Sequence, residues 1–116
     1  MAAERRILVI NPNSNDAVTR GLEEALAPLA RPGIVLACRT LAEGPFGIES
    51  QADVERVALP LRDLVLREAA DAYVIACYSD PGLHVCREAT DRPVLGIAEC
   101  GVLTALARAD RFGVIA

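Results

Sequence analysis

Cys77 stands where an apolar run, Ala72-Tyr73-Val74-Ile75-Ala76, gives way to a helix start, Ser79-Asp80-Pro81-Gly82. A thiol at the carboxyl end of a strand, facing the first turn of the next helix, feels that helix's positive dipole end and its unpaired N–H groups. Both favour the thiolate, so a lowered pKa is expected here. The alternative fate of a free cysteine is a small buried hydrophobe. Cys38 lies inside a strand and Cys86 in a short helix, and both read as packing. Cys100, in the first turn of the helix after the fourth strand, is the other thiol near the same sheet edge and reads as structural. Spacings of 38, 77, 86 and 100 contain no CxxC pair, which fits neither a zinc knuckle nor a thioredoxin motif, so no metal is expected. His84 is the sole histidine and is expected to point away from Cys77 along its helix, which disfavours a Cys–His dyad. Leu83 stands where the phosphate-cradling CX5R pattern would need its arginine.

The elements that must position this thiol are legible in the hydrophobic pattern. Arg6–Ile10 is an apolar strand ended by Asn11-Pro12-Asn13-Ser14-Asn15, a turn and cap cluster. A helix is predicted over about 16–29, with Val18, Leu22, Ala25, Leu26 and Leu29 buried. Strand 34–38 follows, then an irregular loop over 41–49. Ser50 with Asp53 reads as a capping pair for a helix over about 51–70, buried through Val54, Val57, Leu61, Leu64 and Val65 and kinked at Pro60. Strand 72–77, a short helix with Pro81 in its first turn, strand 94–97, helix 99–109 and a last strand 112–115 complete the chain. Strand–helix alternation predicts an α/β fold, an open parallel sheet of order 2-1-3-4 with helices on both faces.

In such a sheet, ligands bind beyond the strands' carboxyl ends, where the order reverses. That places the 11–15 loop beside the 77–82 loop, so amides, a hydroxyl and helix N-termini meet a thiol. The pocket suits a small partner carrying a carboxylate or an imide-like group. Glu49 and Ser50 could reach it from the loop after the second strand, and Glu99 is a comparable carboxylate at the sheet edge. Each of these residues, with Asn11, Asn13 and Ser14, could instead simply cap a helix.

Composition bounds the function class. At 116 residues the chain is a single domain by length, with 53% hydrophobic residues and only four aromatic ones, so its core is aliphatic. A net charge of −4 and the absence of any basic run argue against nucleic acid. All 12 cationic residues are arginine, which excludes a Schiff-base lysine and an internal pyridoxal-phosphate site. No stretch approaches the ~18 apolar residues of a membrane span, and the N-terminus does not read as a signal peptide. Four thiols with no sign of export predict a cytoplasmic protein. A receiver domain fails for want of its acidic residues and lysine.

With those residues in place, the chain resembles the Asp/Glu/hydantoin racemase superfamily, most closely its hydantoin and allantoin racemase branch. The matching stretches are Ile10-Asn11-Pro12-Asn13-Ser14-Asn15, Gly44-Pro45 with Ile48-Glu49-Ser50, the run Tyr73–Leu83 through Ala76-Cys77-Tyr78-Ser79-Asp80-Pro81-Gly82, and Arg92–Glu99. The resemblance implies a pseudo-symmetric enzyme of two flavodoxin-like α/β halves that needs no cofactor. One catalytic cysteine comes from each half, and Cys77 matches the first. Asn11 and Ser14 match positions that hold the substrate's polar groups. Tyr78, Ser79, Glu49 and Ser50 complete the candidate substrate contacts.

Members of that family run to about twice this length. Residues 1–110 are therefore expected to be the N-terminal domain and 111–116 the first strand of a truncated second one. A chain with one of the two cysteines is not expected to racemise alone. Two other readings stand beside this one. One is a related cysteine-dependent isomerase or decarboxylase. The other is a non-catalytic flavodoxin-like module for anion binding or interaction, in which the edge left exposed by truncation would drive a dimer or strand exchange, and a homo-oligomer is expected.

Overall fold

Residues 3–115 are described by a computed structural model. Met1, Ala2 and Ala116 lie outside the described residues, and with them the ends of the expected leaderless N-terminus and of the 111–116 segment. The strands are β1 (Arg5–Asn11), β2 (Ile34–Thr40), β3 (Ala72–Ile75) and β4 (Val94–Gly96). The helices are α1 (Asp16–Leu26), α2 (Gln51–Arg67), α3 (Leu83–Ala89) and α4 (Ile97–Arg108). All strand pairs are parallel, in the order β2-β1-β3-β4 that the alternation predicts.

Strand periodicity sorts side chains between the two faces. Leu8 and Ile10 pair in register with Tyr73 and Ile75, and Tyr73 with Val94, so all five point the same way. They meet Val57, Leu61, Leu64 and Val65 of α2 and Leu83 and Cys86 of α3 in one buried cluster. Right-handed crossovers explain the division: β1 to β2 moves one way across the sheet, β2 to β3 and β3 to β4 the other. Helix α1 therefore lies on the face opposite α2 and α3.

Two polar devices fix the ends of these elements. The Asp71 carboxylate accepts the Arg6 N–H at 2.8 Å, and Arg6's carbonyl accepts the Asp71 N–H at 2.8 Å. That reciprocal pair sets the start of β3 against β1 and holds the Asp71 carboxyl below the usual range. The buried Tyr73 hydroxyl donates to the Glu68 carbonyl at 2.7 Å and accepts the Ala70 N–H at 3.1 Å. It thereby ends α2 at Arg67, three residues before the expected Ala70. The helix passes through Pro60 without interruption, although the Arg56 carbonyl loses its usual donor there.

Elsewhere the elements depart from the sequence pattern for identifiable reasons. Helix α1 stops at Leu26 and tightens into a 3₁₀ turn over Ala27–Leu29, because Pro28 cannot donate to the preceding turn. Its expected buried stripe is displaced: Leu29 is 63% exposed, while polar Thr19 is the buried residue. Thr19 turns inward because its hydroxyl lies 2.6 Å from that of Thr40 on β2 and 3.1 Å from the Asn11 amide. Strand β2 extends two residues past Cys38, and Pro81 precedes α3 rather than entering its first turn. Helix α4 begins at Ile97, directly after β4, for a reason given below. Phe112–Ile115, expected as a strand, pairs with no strand among the described residues and is exposed.

The core makes a direct stability prediction. Truncating Leu61, wholly buried between α2 and the sheet, should cost about 2–5 kcal/mol. Truncating Leu103, exposed on α4, should change stability by no more than about 0.5 kcal/mol. Urea unfolding of Leu61→Ala and Leu103→Ala checks both.

Candidate active site

Three loops meet at the carboxyl edge of the sheet. β1 and β3 are neighbours, and the Ala76 N–H donates to the Ile10 carbonyl at 2.8 Å. This brings the residues after β1, Asn11 to Asn15, alongside the Cys77 turn. The loop 41–49 closes over them: the Ser14 N–H donates to the Pro45 carbonyl at 2.8 Å. Gly44 permits that approach, since a Cβ there would collide with the Pro12 carbonyl.

Asn11 is the organiser of its loop. The side chain is fully buried, and its Oδ1 accepts the Asn13 N–H at 3.1 Å. Its Nδ2 lies 2.8 Å from Asn13 Oδ1 and 3.1 Å from both the Asn15 carbonyl and Thr19 Oγ1. A buried amide with this many partners costs little desolvation and gains rigidity. Asn15 then caps α1, its Oδ1 accepting the Ala17 N–H. Ser14 is half-buried, and its hydroxyl bonds to no described residue.

Cys77 is partly exposed, with its Sγ 3.3 Å from the Ser79 hydroxyl. The turn closes by a bond from the Asp80 N–H to the Cys77 carbonyl at 3.0 Å. Within it, the N–H groups of Tyr78 and Ser79 donate to no acceptor among the described residues. Tyr78 is half exposed, its ring beside Gly101 of α4. Ser79 lines an open groove of about 280 Å³ together with Ile48, Glu49, Ser50, Gln51 and Val54. The structure thus brings Glu49 and Ser50 to the loop that carries Cys77.

Ser50 also caps α2, its hydroxyl accepting the Asp53 N–H at 3.1 Å. Asp53 Oδ2 in return accepts the N–H groups of Glu49 and Ser50. Those backbone bonds, the Glu49 one foremost, hold the Asp53 carboxyl below its usual value. The Ser50 side chain also helps to hold the Asp53 carboxyl low.

Glu99 is engaged elsewhere. Arg87 clamps it with bonds of 2.8 and 3.3 Å and also donates to the Val94 carbonyl at 3.0 Å. The Arg87 hydrogen bonds lower the Glu99 pKa, and the Glu99 carboxylate raises that of Arg87. His84 is exposed on α3. Cys86 is fully buried in the core, where desolvation pushes its thiol up to about 11. Cys38 lines a small apolar cavity under α1, and burial raises its pKa too. Among the described residues no cluster of three or more His, Cys, Asp or Glu could hold a metal ion.

Asp80 has a role that its sequence neighbours do not disclose. Its carboxylate accepts the N–H groups of Ala98 at 2.9 Å and Glu99 at 2.8 Å, capping α4 from eighteen residues away. This cap lets α4 start at Ile97, two residues earlier than expected, although Gly96 offers no capping side chain.

Acid should reveal these carboxylates. Asp53 and Glu99 have folded pKa values below their ordinary 3.8 and 4.5. Their contribution is therefore fully present above those ordinary values and is lost as pH falls through the lower, folded ones. Stability measured by urea unfolding should be flat with respect to these groups near neutrality and should decline below about pH 4.5. Ser50→Ala should cost about 1 kcal/mol and leave a smaller acid-dependent loss, because Asp53 then loses a partner.

The sequence model of the Asp/Glu/hydantoin racemase family matches residues 7–116. A hydantoin racemase of Pseudomonas sp. (strain NS671) is 43% identical over 114 residues, which cover 95% of this chain and 45% of that protein. A hydantoin racemase of Paenarthrobacter aurescens is 41% identical, over 84% of this chain and 43% of that one. The allantoin racemase of Klebsiella pneumoniae superposes with a TM-score of 0.87 at 34% identity, covering 94% of this chain and 46% of that structure. The chain spans less than half the length of each of these relatives. A family match over residues 7–116, with relatives of the same fold, makes this chain a member of the Asp/Glu/hydantoin racemase family.

Proposed function

We propose that this chain supplies one half of a cofactor-independent racemase site in which Cys77 transfers a proton at an acidic α-carbon. The observation that carries the reading is the Cys77 turn itself. A partly exposed thiol stands 3.3 Å from a hydroxyl, in a turn with two unused backbone N–H groups. Glu49 and Ser50 stand across the adjoining groove.

The chemistry follows from those parts. The Cys77 thiolate removes the proton from a carbon next to a carbonyl and becomes a thiol, and the electron pair moves onto the carbonyl oxygen. The N–H groups of Tyr78 and Ser79 are suited to hold that oxygen as charge builds on it, a kind of contact worth about 3–4 kcal/mol in comparable sites. Ser14, Ser79 and Ser50 offer hydroxyls, and Glu49 a carboxylate, to the substrate's polar groups. Asn11 contributes by holding the loop that presents Ser14. The relatives are named for hydantoin and allantoin, and a groove of about 280 Å³ with this lining suits a small ring bearing an imide or a carboxylate.

Inversion needs a second proton donor on the opposite face of the carbon. Cys86 is sealed in the core, Cys38 lies under α1, and Cys100 sits in the first turn of α4. None of the three stands in the turn that carries Ser79 to the groove. The second thiol is therefore assigned to protein outside these 116 residues. The relatives' greater length supports this. So do the apolar side chains left exposed on β4 and α4, Leu95, Ile97, Leu103 and Leu106.

The purified chain in deuterium oxide with one enantiomer of a 5-substituted hydantoin tests the proposal. Deuterium should enter the α-position with retention, without loss of optical rotation. Cys77→Ser should slow that exchange by about 10²-fold or more. Racemisation by the chain alone, or exchange indifferent to Cys77→Ser, would overturn the reading.

A further inference from the structure

We propose that Asp80 is a positioning residue for Cys77: its carboxylate, seated on α4 over the bare Cα of Gly96, fixes the turn that presents the thiol. This rests on the reading of Cys77 as the proton-transfer group. It adds a residue that acts only through the turn.

Three observations converge. Asp80 has a backbone φ of 48°, in the left-handed region, and it is the one non-glycine residue there among the described residues. Short polar side chains tolerate that region better than others, but the conformation still needs holding. Second, the same residue closes the turn, its N–H bonded to the Cys77 carbonyl at 3.0 Å. Any rotation at Asp80 is passed directly to the residue bearing the thiol. Third, the two residues between them cannot hold the turn by burial, since Tyr78 and Ser79 are both exposed.

What holds it is the carboxylate. Both oxygens are occupied, by the Ala98 N–H at 2.9 Å and the Glu99 N–H at 2.8 Å. These are charge-assisted bonds at the start of a twelve-residue helix. The seat is shaped for it: any Cβ at Gly96 would overlap the Asp80 carboxylate. Fully buried Pro81, with its fixed φ, anchors the chain just beyond. The α4 cap and the Cys77 turn are thus one mechanical unit, and the cap cannot be lost without freeing the turn.

Asp80→Asn separates the carboxylate from the backbone, because asparagine also accepts the left-handed region but can accept only one of the two N–H groups. The full chain is labelled with iodoacetamide, with buried Cys86 as the internal report of folding. Expected for Asp80→Asn are moved amide signals of Ala98 and Glu99, Cys77 alkylation faster by about threefold or more with Cys86 still protected, and slower hydantoin exchange. Gly96→Ala should do the same from the other side of the contact. In an Asp80→Gly background, where glycine tolerates the backbone and the carboxylate is gone, Gly96→Ala should have no further effect.

Unchanged Cys77 alkylation and exchange in a folded variant whose Ala98 and Glu99 signals have moved would reduce Asp80 to a helix cap and overturn the proposal. Independent, additive effects of the two sites would do so as well. Should Asp80→Asn expose Cys86 by unfolding, the Gly96→Ala comparison in the two backgrounds still decides. Absence of exchange in the unsubstituted chain would count against the racemase reading, while the alkylation arms would still judge the clamp.

Discussion

One carboxylate ties together the two loops that follow β3 and β4. Asp80 comes from the turn after β3, and the N–H groups it holds belong to the helix after β4. Parallel strands release their chains at a common edge, where every loop leaves the hydrogen-bonded ladder at once and must find new partners. On the other side of β1 the same problem is solved by the Asn11 amide, buried among Asn13, Asn15 and Thr19. Both solutions are charged or polar groups with their bonding fully used. Each is rigid because leaving any of those groups unpaired would be costly. Between them lies the turn of Cys77.

The division of labour among the residues follows from that constraint. The groups most deeply bound, Asn11, Asp80, and Arg87 with Glu99, have no bonds to spare and serve as framework. Those with spare valences are the ones at the surface: the Cys77 thiol, the Ser14 and Ser50 hydroxyls and the backbone N–H groups of Tyr78 and Ser79. A site that holds a reacting carbon to within about 0.5 Å needs this separation, because a group cannot both brace a loop and yield to a ligand.

The sheet order, the core stripe of α2 and the loops that converge were legible in the sequence because each depends on local periodicity or a capping pattern. Val57, Leu61, Leu64 and Val65 repeat at helical spacing, and Ser50 with Asp53 is a contiguous signal. What stayed hidden depends on partners distant in sequence. The apolar spacing of α1 does not mark Thr19, whose burial is decided by Thr40, twenty-one residues on. The start of α4 carries no local signal, because Gly96 has no capping side chain and the cap comes from Asp80. Glu99, expected as a carboxylate at the edge or a helix cap, is paired by the fold with Arg87. Of the candidate contacts, the Ser79, Glu49 and Ser50 grouping needed the loop 41–49 to be folded over the edge, which no periodicity describes.

A thiol suits this position for a reason of energetics as well as placement. The proton of a carbon beside a carbonyl leaves slowly because charge must move to an oxygen that water solvates only after it has moved. Donors fixed in advance remove that reorganisation, and backbone N–H groups in a braced turn are the least mobile donors a protein has. In the proposed mechanism the Cys77 turn puts the base and two such donors on three consecutive residues, so their separation is set by covalent geometry and the turn's closure rather than by side-chain rotamers. The same economy limits it. Base and donors on a single turn can serve a single face of the carbon, and covalent geometry cannot wrap that turn around to the other. On the proposed reading, a proton delivered from the far side comes from another element with its own bracing.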